Sequence, residues 1–292
     1  MLTKWFRPAG VELTRITPWS LEECVPKHIL KAANKVAFPW DRDSYIRENW
    51  ADQKSEEIWN GIGDAEEAFC HANNELIANV GQDPYCYEVS SAPLYNWKSL
   101  KKFFTVTDAF LDQFGLLRFS NEVCGTGGHI HVSINDDKEA TMIQRLMLNH
   151  PEVMFAFCHP CDDHHELKNI AKRKFKTDGQ YTIYRHEYAE DSKSGPIAYR
   201  GCYGTVEFRL FDVAQTWEMQ EEHMAFAQAF VRHALKTPQK TLLFKEDVQA
   251  RTVKEHVNNF RQLVKTLELP WERYKEYTDS IKYRFKWKTS NF

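Results

Sequence analysis

The sequence predicts an α+β fold, in which helices pack on one side of a curved, mainly antiparallel β-sheet. Segments with strand character are separated by irregular distances and by segments whose apolar residues recur about every 3.6 positions, as in helices. Within the strand-like segments, apolar and polar residues alternate, which is typical of a sheet with one buried and one wet face. A doubly wound parallel sheet would need a more regular alternation of strands and helices.

Four parts of the chain are predicted to contain strands. They are Trp5–Ile16, Tyr87–Pro93, Leu116–Asn135 as a hairpin closed at its GTGG sequence, and Ile197–Val213 as a hairpin that turns at Gly201–Gly204. Glycine-rich breaks between β-branched and aromatic runs are the usual sign of such hairpins.

Helical periodicity dominates between these strands and defines the expected domain. The predicted helices are Leu21–Phe38, Asp43–Val80, Leu100–Phe114, Lys138–Leu148, Trp217–Leu235 and Val253–Leu267. Asp136 or Asp137 is expected to cap the fourth of these and Thr216 the fifth. We therefore expect one domain over residues 1–292, with a helical insertion at about 20–80 and a helical C-terminal part at about 217–292.

Composition narrows the class of protein. Apolar residues make up 42% of the chain and charged residues 27%, as in globular proteins, and the net charge of −3 disfavours a nucleic-acid or membrane partner. Seven cysteines without a disulfide-scaffold spacing indicate reduced thiols. With neither a signal peptide nor a membrane span evident, the expectation is a soluble cytoplasmic protein.

The polar faces of four predicted strands carry the residues of greatest chemical interest. Because strand side chains alternate between faces, each strand sets a polar pair opposite an apolar stripe. The pairs are Glu12 with Thr14, Glu88 with Ser90, His129 with His131, and Glu207 with Arg209. A solvated sheet face would also alternate, but these pairs contain no lysine. Carboxylates with imidazoles suit Mg²⁺ or Mn²⁺, and the arginine suits a carboxylate or phosphoryl group.

The same residues lie in four motifs: GVEL at Gly10–Leu13, D-x4-E-V-S-x2-P at Asp83–Pro93, GGHIHVS at Gly127–Ser133, and TVEFRLFD at Thr205–Asp212. In this order they resemble the motifs of the amidoligases of the carboxylate–amine ligase superfamily. The resemblance implies the catalytic fold that this family shares with glutamine synthetase and glutamate–cysteine ligase.

The resemblance also implies a role for each matching residue. Glu12, His129 and Glu207 would hold a metal ion that bridges nucleotide phosphates, and Glu88 with Asp83 would hold a second ion nearer the substrate. His131 and Ser133 would lie beside the nucleotide. Arg209 would bind the carboxylate or the transferred phosphoryl group, and with His131 it forms the catalytic pair.

The implied reaction is amide formation that depends on ATP and on Mg²⁺ or Mn²⁺. The γ-phosphoryl group moves to a carboxylate, an amine attacks the acyl phosphate, and ADP and phosphate leave. The implied partners are small-molecule or peptide carboxylates and amines.

One position departs from the family pattern and keeps an alternative open. Family members carry a second acid two residues after the first, where this chain has Thr14. A hydroxyl is a poorer ligand for a divalent ion than a carboxylate. The alternative is a catalytically weakened or inactive relative that acts as a nucleotide-binding or structural module. A third hypothesis is a hydrolase that binds its metal through His129 and His131.

Three other segments have plainer interpretations. Cys158–Glu166 contains one C-x2-C pair and nearby histidines, but no second ligand pair with matching spacing, which favours a polar loop over a zinc site. The segment 171–176 is interpreted as a solvated helix end. The tail from residue 281 onward alternates basic and aromatic residues, which indicates a strand with one buried face more than a nucleic-acid strip.

Overall fold

A computed structural model describes residues 5–16, 61–63, 65–83, 86–116, 128–157, 197–211, 213–239, 241 and 251–282. Six strands in this part of the chain form one sheet. They are β1 (Ala9–Ile16), β2 (Ile77–Asp83), β3 (Cys86–Ser91), β4 (His129–Ser133), β5 (Ile197–Arg200) and β6 (Thr205–Phe208). Their order is β2-β3-β1-β4-β6-β5, and each strand pairs antiparallel with its neighbours. The predicted antiparallel α+β class is therefore confirmed.

The helices are α1 (Trp97–Asp112), α2 (Asp137–Asn149), α3 (Glu152–Phe157), α4 (Trp217–Lys236), α5 (Val253–Thr266) and α6 (Trp271–Tyr274). Residues 65–72 and 277–282 are also helical. The four predicted helices in the described part of the chain downstream of residue 96 are confirmed, with small shifts at their ends. Asp136 caps α2 by accepting from the Glu139 amide, and Thr216 caps α4 by accepting from the Met219 amide, as expected.

The helix predicted over Asp43–Val80 is wrong at its C-terminal end. The helical turns stop at residue 72, and β2 begins at Ile77. Ile77 and Val80 are three residues apart, a spacing that also fits a helix face, so the local pattern is misleading here. Residues 77–83 form a strand because they pair with β3, which supplies their hydrogen bonds. Other predicted elements lie outside the described residues. They are the helix Leu21–Phe38 and the first part of the helix Asp43–Val80, both within residues 17–60, and one half of a predicted hairpin, within residues 117–127.

Two predicted strand segments are shorter than expected. β1 begins only at Ala9, after Pro8, which has no amide hydrogen to donate to a sheet. The hairpin predicted over Ile197–Val213 is confirmed, but β6 ends at Phe208. Its turn is a short 3-10 helix, Gly201–Tyr203, followed by Gly204 at φ +60, a left-handed conformation that favours glycine.

The core lies against the apolar face of the sheet. All six strands contribute buried side chains to this core, among them Leu13, Val89, Val132 and Phe208. The described helices cover this face: Phe230 of α4, for example, meets Phe208 with ring centroids 6.0 Å apart. The polar pairs therefore occupy the opposite face of the sheet. None of the helices described here is long and apolar enough to cross a membrane.

A buried histidine interrupts the aromatic part of this core. His223 on α4 is 1% exposed and stacks on Phe211 at a centroid distance of 4.7 Å. Its Nε2 atom has no hydrogen-bond partner among the described residues. Burial disfavours the charged imidazolium and lowers the pKa of His223 to about 3.

We expect His223 to make the fold sensitive to mild acid. Its pKa is about 3 in the folded protein and 6.5 in the unfolded chain, so the unfolded state takes up a proton first as the pH falls. Stability is therefore lost between pH 6.5 and 3, by about 2 kcal/mol near pH 5. His223→Phe removes the titration and keeps an aromatic ring. Urea unfolding near pH 7 and pH 5 should show a smaller acid loss in this variant; an equal loss in both proteins would contradict the assignment.

Candidate functional site

The register of the sheet brings the polar pairs of β1, β3, β4 and β6 onto one face. Glu12 lies opposite Ser90 on β3 and opposite His129 on β4. His131 lies opposite Glu207 on β6. Residues that face each other across antiparallel strands point to the same side of the sheet, with Cβ atoms about 4.5–5.5 Å apart. Residues that are far apart in sequence therefore meet in one cluster.

Glu12 is at the centre of this cluster. Its Oε2 atom accepts a hydrogen bond from Nδ1 of His129 at 2.5 Å, and its Oε1 atom lies 3.1 Å from Nε2 of His131. Nδ1 of His129 also lies 3.3 Å from Oε1 of Glu207. The two carboxylates and two imidazoles thus form one continuous network.

Thr205 fixes the orientation of His131. The Thr205 hydroxyl lies 3.2 Å from Nδ1 of His131, while Nε2 of the same ring faces Glu12. A carboxylate can only accept, so the proton belongs on Nε2 and the Thr205 hydroxyl donates to Nδ1. Sequence reasoning missed Thr205, although its position two residues before Glu207 places it on the polar face.

Glu207 is held by two arginines. Nε of Arg200 donates to its Oε2 atom and Nη1 of Arg209 to its Oε1 atom, and the carboxylate is almost fully buried between them. Arg209 was expected at the site, but Arg200 was missed. Arg200 ends β5 opposite Thr205, so the alternation of the IAYR sequence already places it on the polar face once the β5–β6 hairpin is accepted.

Both central carboxyl groups are held in the charged form. Burial by itself would raise the pKa of Glu12, but hydrogen bonds from His129 and His131 outweigh it and bring the pKa far below the usual range. Burial of Glu207 is likewise outweighed, first by the charge of Arg209 and then by His129 and Arg200, so that its pKa is lowered. The cluster therefore presents carboxylates at neutral pH.

The donor set fits a divalent metal ion. Glu12, His131 and Glu207 each offer one ligand atom, and these atoms lie within 4.8 Å of one another. Carboxylate oxygens with an imidazole nitrogen are suitable ligands for Mg²⁺ or Mn²⁺. The family resemblance implies His129 as the imidazole ligand, whereas this grouping contains His131. Both histidines contact Glu12, and the metal-binding roles remain predictions.

The residues expected to hold a second metal ion lie further along the sheet. Glu88 on β3 is opposite Thr14 and accepts a hydrogen bond from the Ser90 hydroxyl at 3.3 Å. Asp83 ends β2, opposite Cys86, one strand beyond Glu88. Thr14 is buried, and it occupies the position beside Glu88 where the family pattern has an acid.

Ser133 lies at the other end of the cluster. It ends β4 opposite Thr205, and its amide donates to the carbonyl oxygen of Pro8. Its carbonyl oxygen accepts from Nη1 of Arg7. These backbone contacts fix the end of the strand that carries both histidines. A contact with a nucleotide remains a prediction for this residue.

Solved structures similar to this chain include three whose alignments cover 98% of it. One is described as "GmaS/ADP complex-Conformation 1", with 14% identity, 69% of its own chain covered and a TM-score of 0.43. Another is a "novel glutamine synthase homolog", with 13% identity, 68% covered and a TM-score of 0.41. The third is "Apo GmaS without ligand", with 14% identity, 68% covered and a TM-score of 0.40. These similarities are distant, and no activity follows from them.

No protein-family model matches the sequence, and no curated protein matches it either. Membership of the amidoligase family therefore remains a prediction from the four motifs.

Proposed function

We propose that this chain is a carboxylate–amine ligase that forms an amide bond with the use of ATP and a divalent metal ion. One observation carries the proposal: three strands that are distant in sequence, β1, β4 and β6, place Glu12, His129, His131 and Glu207 in one network beside two arginines. A merely solvated sheet face needs no buried carboxylate between two guanidinium groups.

The charges of the site suit a phosphorylated substrate when a metal cation is bound with it. Three carboxylates, Glu12, Glu88 and Glu207, share this face with Arg200 and Arg209, so the protein alone would repel a polyphosphate unless a cation lay between them. A divalent ion held by Glu12, Glu207 and a histidine would neutralise the phosphoryl oxygens during transfer.

The chain's own residues would bind and orient the reacting groups. Arg209 has a planar guanidinium that can grip a carboxylate or phosphoryl group with two hydrogen bonds. Arg200 presents a second cation from the neighbouring strand. Because both arginines are fixed on Glu207, they are aimed before a substrate arrives, and such preorganised charge is the main contribution a protein makes to phosphoryl transfer.

In the proposed reaction the γ-phosphoryl group passes from ATP to a carboxylate, and an amine then displaces phosphate to give the amide. The acid and the amine are small molecules or short peptides. Thr14 supports the alternative, a nucleotide-binding module with weakened or no catalysis, because a buried threonine stands where a second carboxylate is expected beside Glu88.

Binding of ATP is expected to require a divalent ion. Calorimetry with Mg²⁺ or Mn²⁺ present should show binding that EDTA abolishes, because the carboxylates repel the phosphates otherwise. Equal affinity in both conditions would contradict the proposal. Turnover is tested by giving the protein ATP, amines and pools of amino acids labelled with ¹⁸O in their carboxyl groups. Transfer of the γ-phosphoryl group to a carboxylate should place ¹⁸O in the released phosphate. Metal-dependent binding of ATP without labelled phosphate would favour the alternative, a nucleotide-binding module with weakened or no catalysis.

A further inference from the structure

An exposed tyrosine stands at the edge of the carboxylate–imidazole network. Tyr203 is 74% exposed, and Tyr95 is the other large hydrophobic side chain found exposed in the described ranges. The Tyr203 ring meets His131 edge-on, with ring centroids 6.4 Å apart and planes at 86°. A single exposed aromatic ring is ordinary on a protein surface. What singles out Tyr203 is that its exposed ring lies against a histidine of the network.

The turn that carries Tyr203 is closely tied to the strand that carries the histidines. Gly204 donates its amide to the carbonyl oxygen of Gly201, and its own carbonyl oxygen accepts from the amide of Ile134, just after β4. Gly204 has a φ of +60, so the tight turn depends on glycine at this position. These backbone contacts hold the turn that carries Tyr203 next to the end of the strand that carries His131.

His131 separates the Tyr203 ring from the carboxylates. On one side its Nε2 atom faces Glu12, and on the other its ring faces Tyr203. The two rings stand at nearly a right angle, and Tyr203 is the exposed member of the pair. A ligand that had its phosphates at Glu12 and Glu207 and extended past His131 would reach the exposed Tyr203 ring.

We infer that Tyr203 is a stacking platform for the base of the bound nucleotide, an inference that rests on the proposed function. A planar base can stack on the exposed face of the tyrosine, and aromatic stacking tolerates any base because each has a π face. The binding site then has two parts: a charged part for the phosphates at Glu12 and Glu207, and an aromatic part for the base at Tyr203.

The test compares ATP with inorganic tripolyphosphate, which has the phosphates but no base. Both are titrated by calorimetry in the presence of Mg²⁺ into the wild-type protein, Tyr203→Ala, Tyr203→Phe and Tyr95→Ala. Tyr95 is a matched control because it is also an exposed tyrosine, at 66%, but lies outside the β5–β6 turn. It follows Leu94, which forms an isolated β-bridge with Ala9. Melting temperatures establish that each variant is folded.

Tyr203→Ala is expected to weaken ATP binding about fivefold to 100-fold and to leave tripolyphosphate binding unchanged. Tyr203→Phe and Tyr95→Ala should bind both ligands as the wild type does. If Tyr203→Ala binds ATP normally, or loses both ligands equally, the stacking role is overturned while the proposed function stands. If the wild-type protein binds tripolyphosphate but shows no preference for ATP over it, the stacking role also fails. If it binds neither ligand, the proposed function fails first.

Discussion

Replacing Glu12 with glutamine is expected to weaken binding of a divalent ion by on the order of 100-fold or more, because outer-shell partners of a metal alone account for about 10–100-fold. Glu12 contacts both histidines and is the carboxylate on which the network converges. A glutamine keeps the size of the side chain but removes its charge. Its amide group also sets a donor against the donating nitrogens of the imidazoles.

The affinity can be measured with Mn²⁺, by calorimetry and by the loss of the free-ion signal in electron paramagnetic resonance. Glu139→Gln is a matched control, since Glu139 has a similar exposure, 17% against 21% for Glu12, and its carboxylate also accepts side-chain hydrogen bonds, in this case from Arg7. The control should bind Mn²⁺ as the wild type does. A Glu12→Gln protein that is folded and binds Mn²⁺ with unchanged affinity would rule out a metal site at this network.

The second large effect is expected on stability, at an ion pair between a buried arginine of the sheet and a partly buried aspartate of α1. Arg15 of β1 is 0% exposed on the apolar face, its Nη2 atom lies 2.5 Å from Oδ1 of Asp108, and its Nη1 atom donates to the carbonyl oxygen of Thr14. Asp108→Ala takes a counter-charge away from this buried guanidinium, and removing one partner of a buried ion pair costs about 3–5 kcal/mol. Asp108→Ala should therefore lower the free energy of unfolding by about that amount.

A double variant distinguishes the effect of breaking the ion pair from the effect of losing packing. Arg15→Met with Asp108→Leu removes both charges and keeps apolar volume, and such replacements are often neutral or stabilising. We expect it to recover most of the stability that Asp108→Ala loses. Lys102→Ala, on the exposed side of the same helix, should change the unfolding free energy by less than about 0.5 kcal/mol. A loss in the Asp108→Ala protein no larger than in this control would mean that Arg15 does not depend on Asp108.

Local pattern was sufficient for most elements of this protein. The period of the apolar residues predicts α1, α2, α4 and α5, because a helix buries one stripe and its hydrogen bonds are internal. The alternation in GVELTR and HIHVS assigns Glu12 and both histidines to polar faces before any strand is paired. The polar face is a property of each strand alone, and it needs no knowledge of the neighbours.

Strand β2 shows where local pattern fails. Its sequence carries two apolar residues at a spacing that also suits a helix, and its strand conformation depends on hydrogen bonds to β3. Arg15 is a similar case. Alternation places it on the apolar face, but the carboxylate that makes this acceptable comes from α1, more than 90 residues away.

Alternation along each strand is enough to assign the possible site residues, Glu12, His129, His131, Glu207 and Arg209, to polar faces. Which of these side chains touch depends on how the strands pair. The order β1-β4-β6 sets Glu12 beside both histidines, and the β5–β6 hairpin adds Arg200, Thr205 and Tyr203 to the same edge. Strands that are far apart in sequence pair with each other in this sheet. The register that brings two side chains together therefore depends on both strands, and neither strand's sequence specifies it alone.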